Sequence, residues 1–462
     1  MVLGENENTH QTQNAANPLT TILNFHQLRC EISNTQMTSE ASDPPPHGSK
    51  PSNFAEFSST SMNNSILTIP FLPAELVIEI LSRLPVKSLL KFRSVSKSWL
   101  SIISSPKFIK THLRVSIDNK ECTHHRLLMK LYWANSNLKD CSFSSLLYNE
   151  SVIEANDLNC SMENSGVSFC IVGSINGLIC FADGTGDLFL WNSTIKKYKK
   201  LSHRRLTSNT NFIYGFGYDE FCDDYKVVCI VAIYQHGGYS TVEVKIYSLK
   251  SDAWRNMDDL GDRMRSKTSA TFVNGKLHWT TSCGLGELRV RGTWSIVSMD
   301  MADEKWGKIE PPCFGEEDFG FKLGVLGNNL SVLSMNVLFT HVNIWVKEEY
   351  GVKESWTKMY TIKCLNDLDK HFLYPSCYMS NKGETLLVYV APGMIHNQED
   401  TPFVIKKICD DPIKYAEVTN FSARLSNEIY IESLVCPLSQ NQQGLSNNEG
   451  CRCSDELQLC NL

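Results

Sequence analysis

The chain has 462 residues, 42% hydrophobic and 20% charged, which is too long for one compact core and apolar enough to be mostly globular. Its 44 Lys and Arg against 50 Asp and Glu give a net charge of −6, which argues against a nucleic-acid binder working through a general basic surface. The longest apolar stretch, Leu323 to Val346, is broken by Asn328, Asn329, Asn336, His341 and Asn343, so no membrane span is read. The 17 cysteines are odd in number and scattered, and Cys170, Cys180 and Cys229 sit inside apolar runs. They read as reduced thiols of a protein of the cytoplasm or nucleus, not as a disulfide framework. The glycosylation triplets at Asn159, Asn192 and Asn420 then carry no sugar.

Residues 1–65 are rich in Asn, Ser, Thr and Gln and contain Pro44-Pro45-Pro46. So few large apolar side chains cannot build a core, and a disordered tail is expected. Glu5, Glu7, Glu31, Glu40, Asp43 and Glu56 outnumber Arg29 and Lys50, opposite to a basic transit peptide. A solvated tail is favoured over a brief amphipathic helix at Leu19 to Leu28. Translation starting at Met62 is expected to give a working protein.

The pattern then turns helical. Pro73 suits a helix start, and Leu76, Ile80, Leu81 and Leu84 make one apolar face. Pro85 ends that helix. A second helix is expected over Val86 to Arg93, with Leu89, Leu90 and Phe92 apolar. A third carries Val95, Trp99, Ile102 and Ile103 and is expected to stop at Pro106. Helices this short bury little between them, and the apolar surface left over points to a partner.

Leu72-Pro-x-Glu-Leu, Arg83-Leu-Pro-Val-Lys-Ser-Leu-Leu, Phe92-Arg-x-Val-Ser-Lys-Ser-Trp and Pro106-x-Phe-Ile-x-x-His-Leu lie in register. On these motifs the segment 66–113 resembles an F-box, a small all-α three-helix unit. The resemblance implies docking on a Skp-family linker protein, and through it on a cullin and its RING subunit. The residues it nominates for that docking are Leu72, Pro73, Leu76, Ile80, Leu81, Leu84, Pro85, Leu89, Phe92, Val95 and Trp99.

From about His125 the pattern becomes short alternating runs separated by Gly, Asn and Asp, an all-β signature. A unit recurs that contains a turn such as Asn176-Gly177 or Asn274-Gly275 and closes on an aromatic residue: Tyr198, Trp254, Trp306, Trp356 and Tyr415. Spacings of 56, 52, 50 and 59 residues suit four-stranded propeller blades of the kelch length class. Each closing aromatic is expected to pack under the next blade. Leu127 to Tyr148 is expected to add a less regular early blade, and Ile429 to Val435 to pair back with it and close a ring of six or seven. Val172-Gly-Ser-x-Asn-Gly-Leu, Leu190-Trp-Asn, Tyr214-Gly-Phe-Gly-Tyr-Asp, Phe272-Val-Asn-Gly-x-Leu-His-Trp, Gly351-Val-Lys-Glu-Ser-Trp and Glu432-Ser-Leu-Val resemble the F-box-associated domain of plant F-box/kelch-repeat proteins. The expected layout is a propeller over 114–437 and a second disordered tail over 438–462.

Motifs for chemistry are weak. Cys122, His124 and His125 lack a second pair at metal-ligand spacing, as do Cys451 and Cys453 in the tail. Gly215-Phe-Gly217 has no following helix or Lys-Ser/Thr and reads as a hairpin turn. Asp219, Glu220, Asp223 and Asp224, like Glu316, Glu317 and Asp318, read as solvated acids on turns. No Gly-x-Ser-x-Gly elbow occurs. No catalytic residue, metal or cofactor is nominated.

The resemblance therefore implies a non-catalytic substrate receptor of an SCF-type ubiquitin ligase. It would hold an unidentified protein substrate for ubiquitination and proteasomal degradation, through effective concentration and orientation. The alternatives are a scaffold acting outside a ligase, and a lectin-like or enzymatic propeller with a polar cluster in its channel.

Overall fold

The computed structural model describes residues 72–131, 138–148, 152–158, 169–184, 186–201, 210–235, 238–257, 269–283, 293–315, 318–336, 341–363, 376–379, 385–388, 402–408, 414–422 and 425–438. The expectations for the two tails, for Met62 and for Glu316 and Glu317 fall outside these residues.

Four helices open the described chain. Helix α1 (Ala74–Ser82) follows extended Pro73, and α2 (Val86–Phe92) follows extended Pro85, so each proline sits just ahead of a helix. Helix α3 (Lys97–Ser104) is capped by Ser96, whose Oγ accepts the Trp99 N–H at 3.2 Å. Pro106 does not end the helical region. It is the first residue of α4 (Pro106–Ile117), and Ser105 caps it by accepting the Phe108 N–H at 3.2 Å. Proline's missing N–H is harmless in a first turn, so the same residue that stops α3 starts α4. Leu81, Leu84, Val86, Leu89, Phe92, Ile103 and Phe108 form the buried centre, and Trp99 meets Phe92 edge-on at 5.4 Å. His112 of α4 is buried and bonds the Leu84 carbonyl through Nε2 at 2.9 Å, tying α4 to the α1–α2 corner.

The β region is a propeller of six sheets among the described residues. The first stretch gives β1 (His125–Leu131), β2 (Leu138–Ser142), helix α5 (Phe143–Tyr148), β3 (Val152–Glu154) and β4 (Asn156–Asp157), of which β1, β2 and β4 pair in the sheet of the first blade. Blade 2 is β5 (Phe169–Ile175), β6 (Leu178–Asp183), β7 (Leu188–Asn192) and β8 (Lys197–Leu201). Blade 3 is β9 (Thr210–Asp219), β10 (Asp224–Gln235), β11 (Gly238–Ser248) and β12 (Ala253–Met257). Blade 4 is β13 (Thr271–Val273), β14 (Lys276–Cys283), β15 (Thr293–Asp300) and β16 (Trp306–Ile309). Blade 5 is β17 (Asp318–Leu326), β18 (Asn329–Asn336), β19 (His341–Lys347) and β20 (Trp356–Lys363). Blade 6 is β21 (Ser376–Met379), β22 (Thr385–Val388), β23 (Pro402–Ile408) and β24 (Lys414–Ser422), and β25 (Leu425–Ile431) follows.

Two pairings close the ring. Strand β25 adds antiparallel to β1, with Leu127 opposite Ile429, and supplies the inner strand of blade 1. Strand β3, from the first blade's own sequence, adds parallel to β24 at the outer edge of blade 6. The closing strand thus ends at Ile431, four residues short of the expected Val435, and residues 432–435 are free for another task. The Asn-Gly turns behave as their sequence predicts: Asn176 and Gly177 have φ of 54° and 85°, and Asn274 and Gly275 have 51° and 71°.

The closing aromatics stand at the outer strands, but they face the other way. Trp254 of blade 3 packs into the core shared with blade 2, beside Tyr247 at 5.3 Å. Trp306 of blade 4 packs toward blade 3, beside Trp279 at 5.7 Å. Trp356 of blade 5 joins the core shared with blade 4. Each therefore covers the preceding blade. Register decides this: Trp254 lies opposite Tyr247 and Trp306 opposite Met299, and directly opposed residues share a sheet face. Tyr198 is exposed.

Gly215 and Gly217 lie inside β9 and not at a turn. A Cβ at Gly215 would stand 2.8 Å from Leu277 and Trp279, and one at Gly217 would strike Met301. These glycines admit the side chains of blade 4, a close approach that strand glycines permit.

Two of the acids read as solvated are buried. Asp219 accepts the N–H groups of Phe221 and Cys222, each at 3.0 Å, and a bond from Lys226 at 2.8 Å. Lys226 also reaches the Met301 carbonyl at 2.7 Å and Glu304 at 2.9 Å, across the blade 3–4 seam. Burial pushes the Asp219 carboxyl up, but its bonds from Lys226 and Cys222 outweigh this and hold it below the usual range. Asp224 is likewise buried and bonds Ser248 and the Lys250 N–H.

His278 predicts an acid sensitivity. It is fully buried, with Nδ1 bonded to the Thr271 carbonyl at 3.2 Å and Nε2 to the Tyr350 hydroxyl at 3.3 Å. Burial pushes its pKa down to about 4, against a weaker opposing effect of the Thr271 carbonyl. The unfolded chain, with a histidine pKa of about 6.5, protonates first, so this stability is whole above about 6.5 and is lost progressively down to about 4. Between pH 7 and pH 5 the loss is about 2 kcal/mol. Chemical denaturation at the two pH values should show a smaller difference for His278→Gln than for the native chain. Equal differences would contradict the assignment.

Candidate functional site

The helical unit is the first place to seek a site, because it leaves apolar side chains in water. Leu72, Leu76 and Ile78 are 40%, 48% and 36% exposed, and Leu100 of α3 is 46% exposed. Pro73 and Pro85 are exposed beside them, while Ile80, Val95 and Trp99 are half-buried. Leu81, Leu84, Leu89 and Phe92 are inside the helical core. The structure thus divides the nominated residues. The first group can meet a partner directly, and the last four shape the surface from beneath.

Leu100 is exposed but was not nominated, while Ile78, two positions on from Leu76, lies on another side of α1, beside Thr111 and Val115 of α4. The signal for Leu100 was available: Trp99, Ile102 and Ile103 define the inward stripe of α3, and Leu100 lies one residue off it.

The unit sits on one rim of the propeller. Adjacent strands in blades 2 to 5 are antiparallel, so the turns between first and second strands and between third and fourth strands emerge on the same rim. Ile195 in the β7–β8 turn packs on the helical core. Lys110 of α4 pairs with Asp223 in the β9–β10 turn at 2.6 Å, and Lys87 of α2 lies 4.0 Å from Glu432, just past β25. All three contacts are on that rim, so the helical unit and the opposite rim lie at different ends of the propeller.

His124 stacks edge-on against His112 at 5.6 Å, with Cys122 buried nearby in the first-blade core. Among the described residues no group of three or more His, Cys, Asp or Glu is placed to hold a metal. On the inner strands, burial pushes the Glu428 carboxyl of β25 up to about 7, partly opposed by Lys322 of β17. No described helix is long and apolar enough to cross a membrane.

Comparison with known proteins decides what the two parts are. Residues 69–111 match the F-box domain, and residues 129–436 match the F-box associated beta propeller domain. The chain is an F-box protein of the F-box-associated β-propeller family. An F-box/kelch-repeat protein of Arabidopsis thaliana is 34% identical over 308 residues, covering 64% of this chain and 80% of that protein. The F-box protein CPR1 of the same plant is 27% identical over 343 residues, covering 68% of this chain and 79% of that one. Membership identifies the helical unit as the F-box and the six-sheet ring as the associated propeller.

Proposed function

We propose that this F-box protein is a substrate-recognition subunit of an SCF-type ubiquitin ligase, working without catalysis of its own. The observation that carries the reading is the exposure of the apolar side chains Leu72, Leu76 and Leu100 on a helical unit that is fixed to one propeller rim. A Skp-family linker covers that face and brings cullin and its RING subunit. The propeller offers its opposite rim to a protein substrate destined for degradation, in the cytoplasm or nucleus.

Chain connectivity favours the opposite rim for the substrate. On the F-box side the turns are short, as at 176–177, 274–275 and 327–328. On the other side the strands are joined by longer stretches: 258–270 between β12 and β13, 364–375 between β20 and β21, and 389–401 between β22 and β23. Long connections on a rigid scaffold are where recognition usually resides. A photo-crosslinking residue at His341, on the opposite rim, should trap the substrate that the chain directs to ubiquitination. The same residue at Gly351, on the F-box rim, should not. Capture from Gly351 alone would overturn the assignment of the rim.

A further inference from the structure

The residues released by the early end of β25 enter the F-box. The Glu432 N–H bonds the His124 carbonyl at 2.8 Å, leading the chain off the propeller. Ser433 then turns toward blade 2. Asn192, fully buried, donates through Nδ2 to the Ser433 carbonyl at 3.1 Å, to Ser433 Oγ at 3.2 Å and to the Val435 carbonyl at 2.8 Å. Its Oδ1 accepts the Thr194 N–H at 3.0 Å, which shapes the turn presenting Ile195. Gly177 presses on the same point, since a Cβ there would strike the Ser433 side chain.

With Ser433 held by the propeller, Leu434 points the other way. It is 2% exposed and lies in the cluster of Leu81, Leu84, Val86, Leu89, Phe92 and Ile103. Val435 turns back and packs on the core between blades 2 and 3. The F-box core therefore contains a side chain supplied from more than 300 positions downstream, after the ring has closed.

We infer that the F-box docking face is complete only when the propeller has closed, with Leu434 as the side chain that finishes its core and Asn192 as the residue that positions Leu434. The inference rests on the reading of the F-box as the linker dock. A short helical unit gains little from its own burial, so one added leucine is a large share of its core. Loss of that side chain lowers the fraction of chains with a formed dock, and the apparent linker affinity falls with that fraction. A chain with an unfinished propeller would then fail to enter the ligase.

The test uses the full chain with Leu434→Ala, Leu434→Asp, Asn192→Ala and Leu434→Met. Hydrogen exchange reads the amides of α1, α2 and α4 against those of β10, and titration with a Skp-family linker reads docking. Leu434→Ala should speed exchange in the F-box helices by at least about thirtyfold, the low end for deleting a buried leucine side chain, with β10 unchanged. Leu434→Asp should weaken linker binding by at least about tenfold, Asn192→Ala should act in the same direction, and Leu434→Met should restore both readouts. Unchanged F-box exchange in Leu434→Asp would overturn the inference, as would loss of protection in β10 together with the helices. If the native chain itself fails to bind the linker, the docking reading fails, and the exchange data still decide whether Leu434 completes the F-box.

Discussion

Replacing Leu76 and Leu100 together with aspartate should abolish linker binding while leaving thermal unfolding unchanged. Both side chains are about half exposed, at 48% and 46%, and neither belongs to the helical core, so their replacement should cost little stability. Surface changes of this kind usually move stability by no more than about 0.5 kcal/mol. At the interface each carboxylate would be stripped of water without a partner, at a cost of about 1 to 3 kcal/mol for each unpaired buried group. The pair should therefore cost at least a hundredfold in affinity, on the order of 3 kcal/mol. Trp99, an attractive choice from sequence, is a worse probe. It is half-buried against Phe92, so charging it would damage the helical core as well as the face. Unchanged linker affinity in the Leu76→Asp, Leu100→Asp chain would show that docking uses another surface.

The largest effect on stability is expected at Lys226. Its ammonium is buried among Asp219, Glu304 and the Met301 carbonyl, and it joins blade 3 to blade 4. Lys226→Ala leaves Asp219 buried without its counter-charge, a change that typically costs about 3 to 5 kcal/mol. The lower end, about 3 kcal/mol, is expected here because Arg255 still pairs with Glu304. Lys226→Ala with Asp219→Asn should lose less than the sum of the single changes, since the stranded charge is gone. As a contrast, the exposed Arg83–Glu79 pair of α1 should contribute no more than about 0.5 kcal/mol. Denaturant titration of the chains would show this ranking. A Lys226→Ala loss no larger than that of Arg83→Ala would contradict the role given to the seam.

What the sequence made legible follows from local rules. Asn-Gly pairs at 176–177 and 274–275 announce hairpins because their positive φ angles suit those residues. Pro85 marks a helix boundary because its ring constrains the residue before it. The aromatic spacing marks the blades because each outer strand begins near its aromatic, as Trp254 and Trp306 show. The F-box motifs mark the exposed Leu72 and Leu76.

What stayed illegible depends on contacts between distant segments. Gly215 and Gly217 look like turn residues until Trp279 and Met301 of the next blade are in place. Asp219 reads as a solvated acid until Lys226 and the blade 4 turn enclose it. The aromatic side chains could be placed on strands, but the face they cover depends on strand register. Leu434 reads as the end of a strand, because nothing local says that Asn192 will turn it into the F-box. Even Pro106 is ambiguous alone, since it can stop one helix and start another when Ser105 precedes it.

The most direct test of the proposed adaptor role is to titrate the full chain with a purified Skp-family linker, then add cullin with its RING subunit and measure assembly. The account predicts a stoichiometric complex that includes cullin and that the Leu76→Asp, Leu100→Asp chain does not form. Failure of the folded native chain to bind the linker would contradict it.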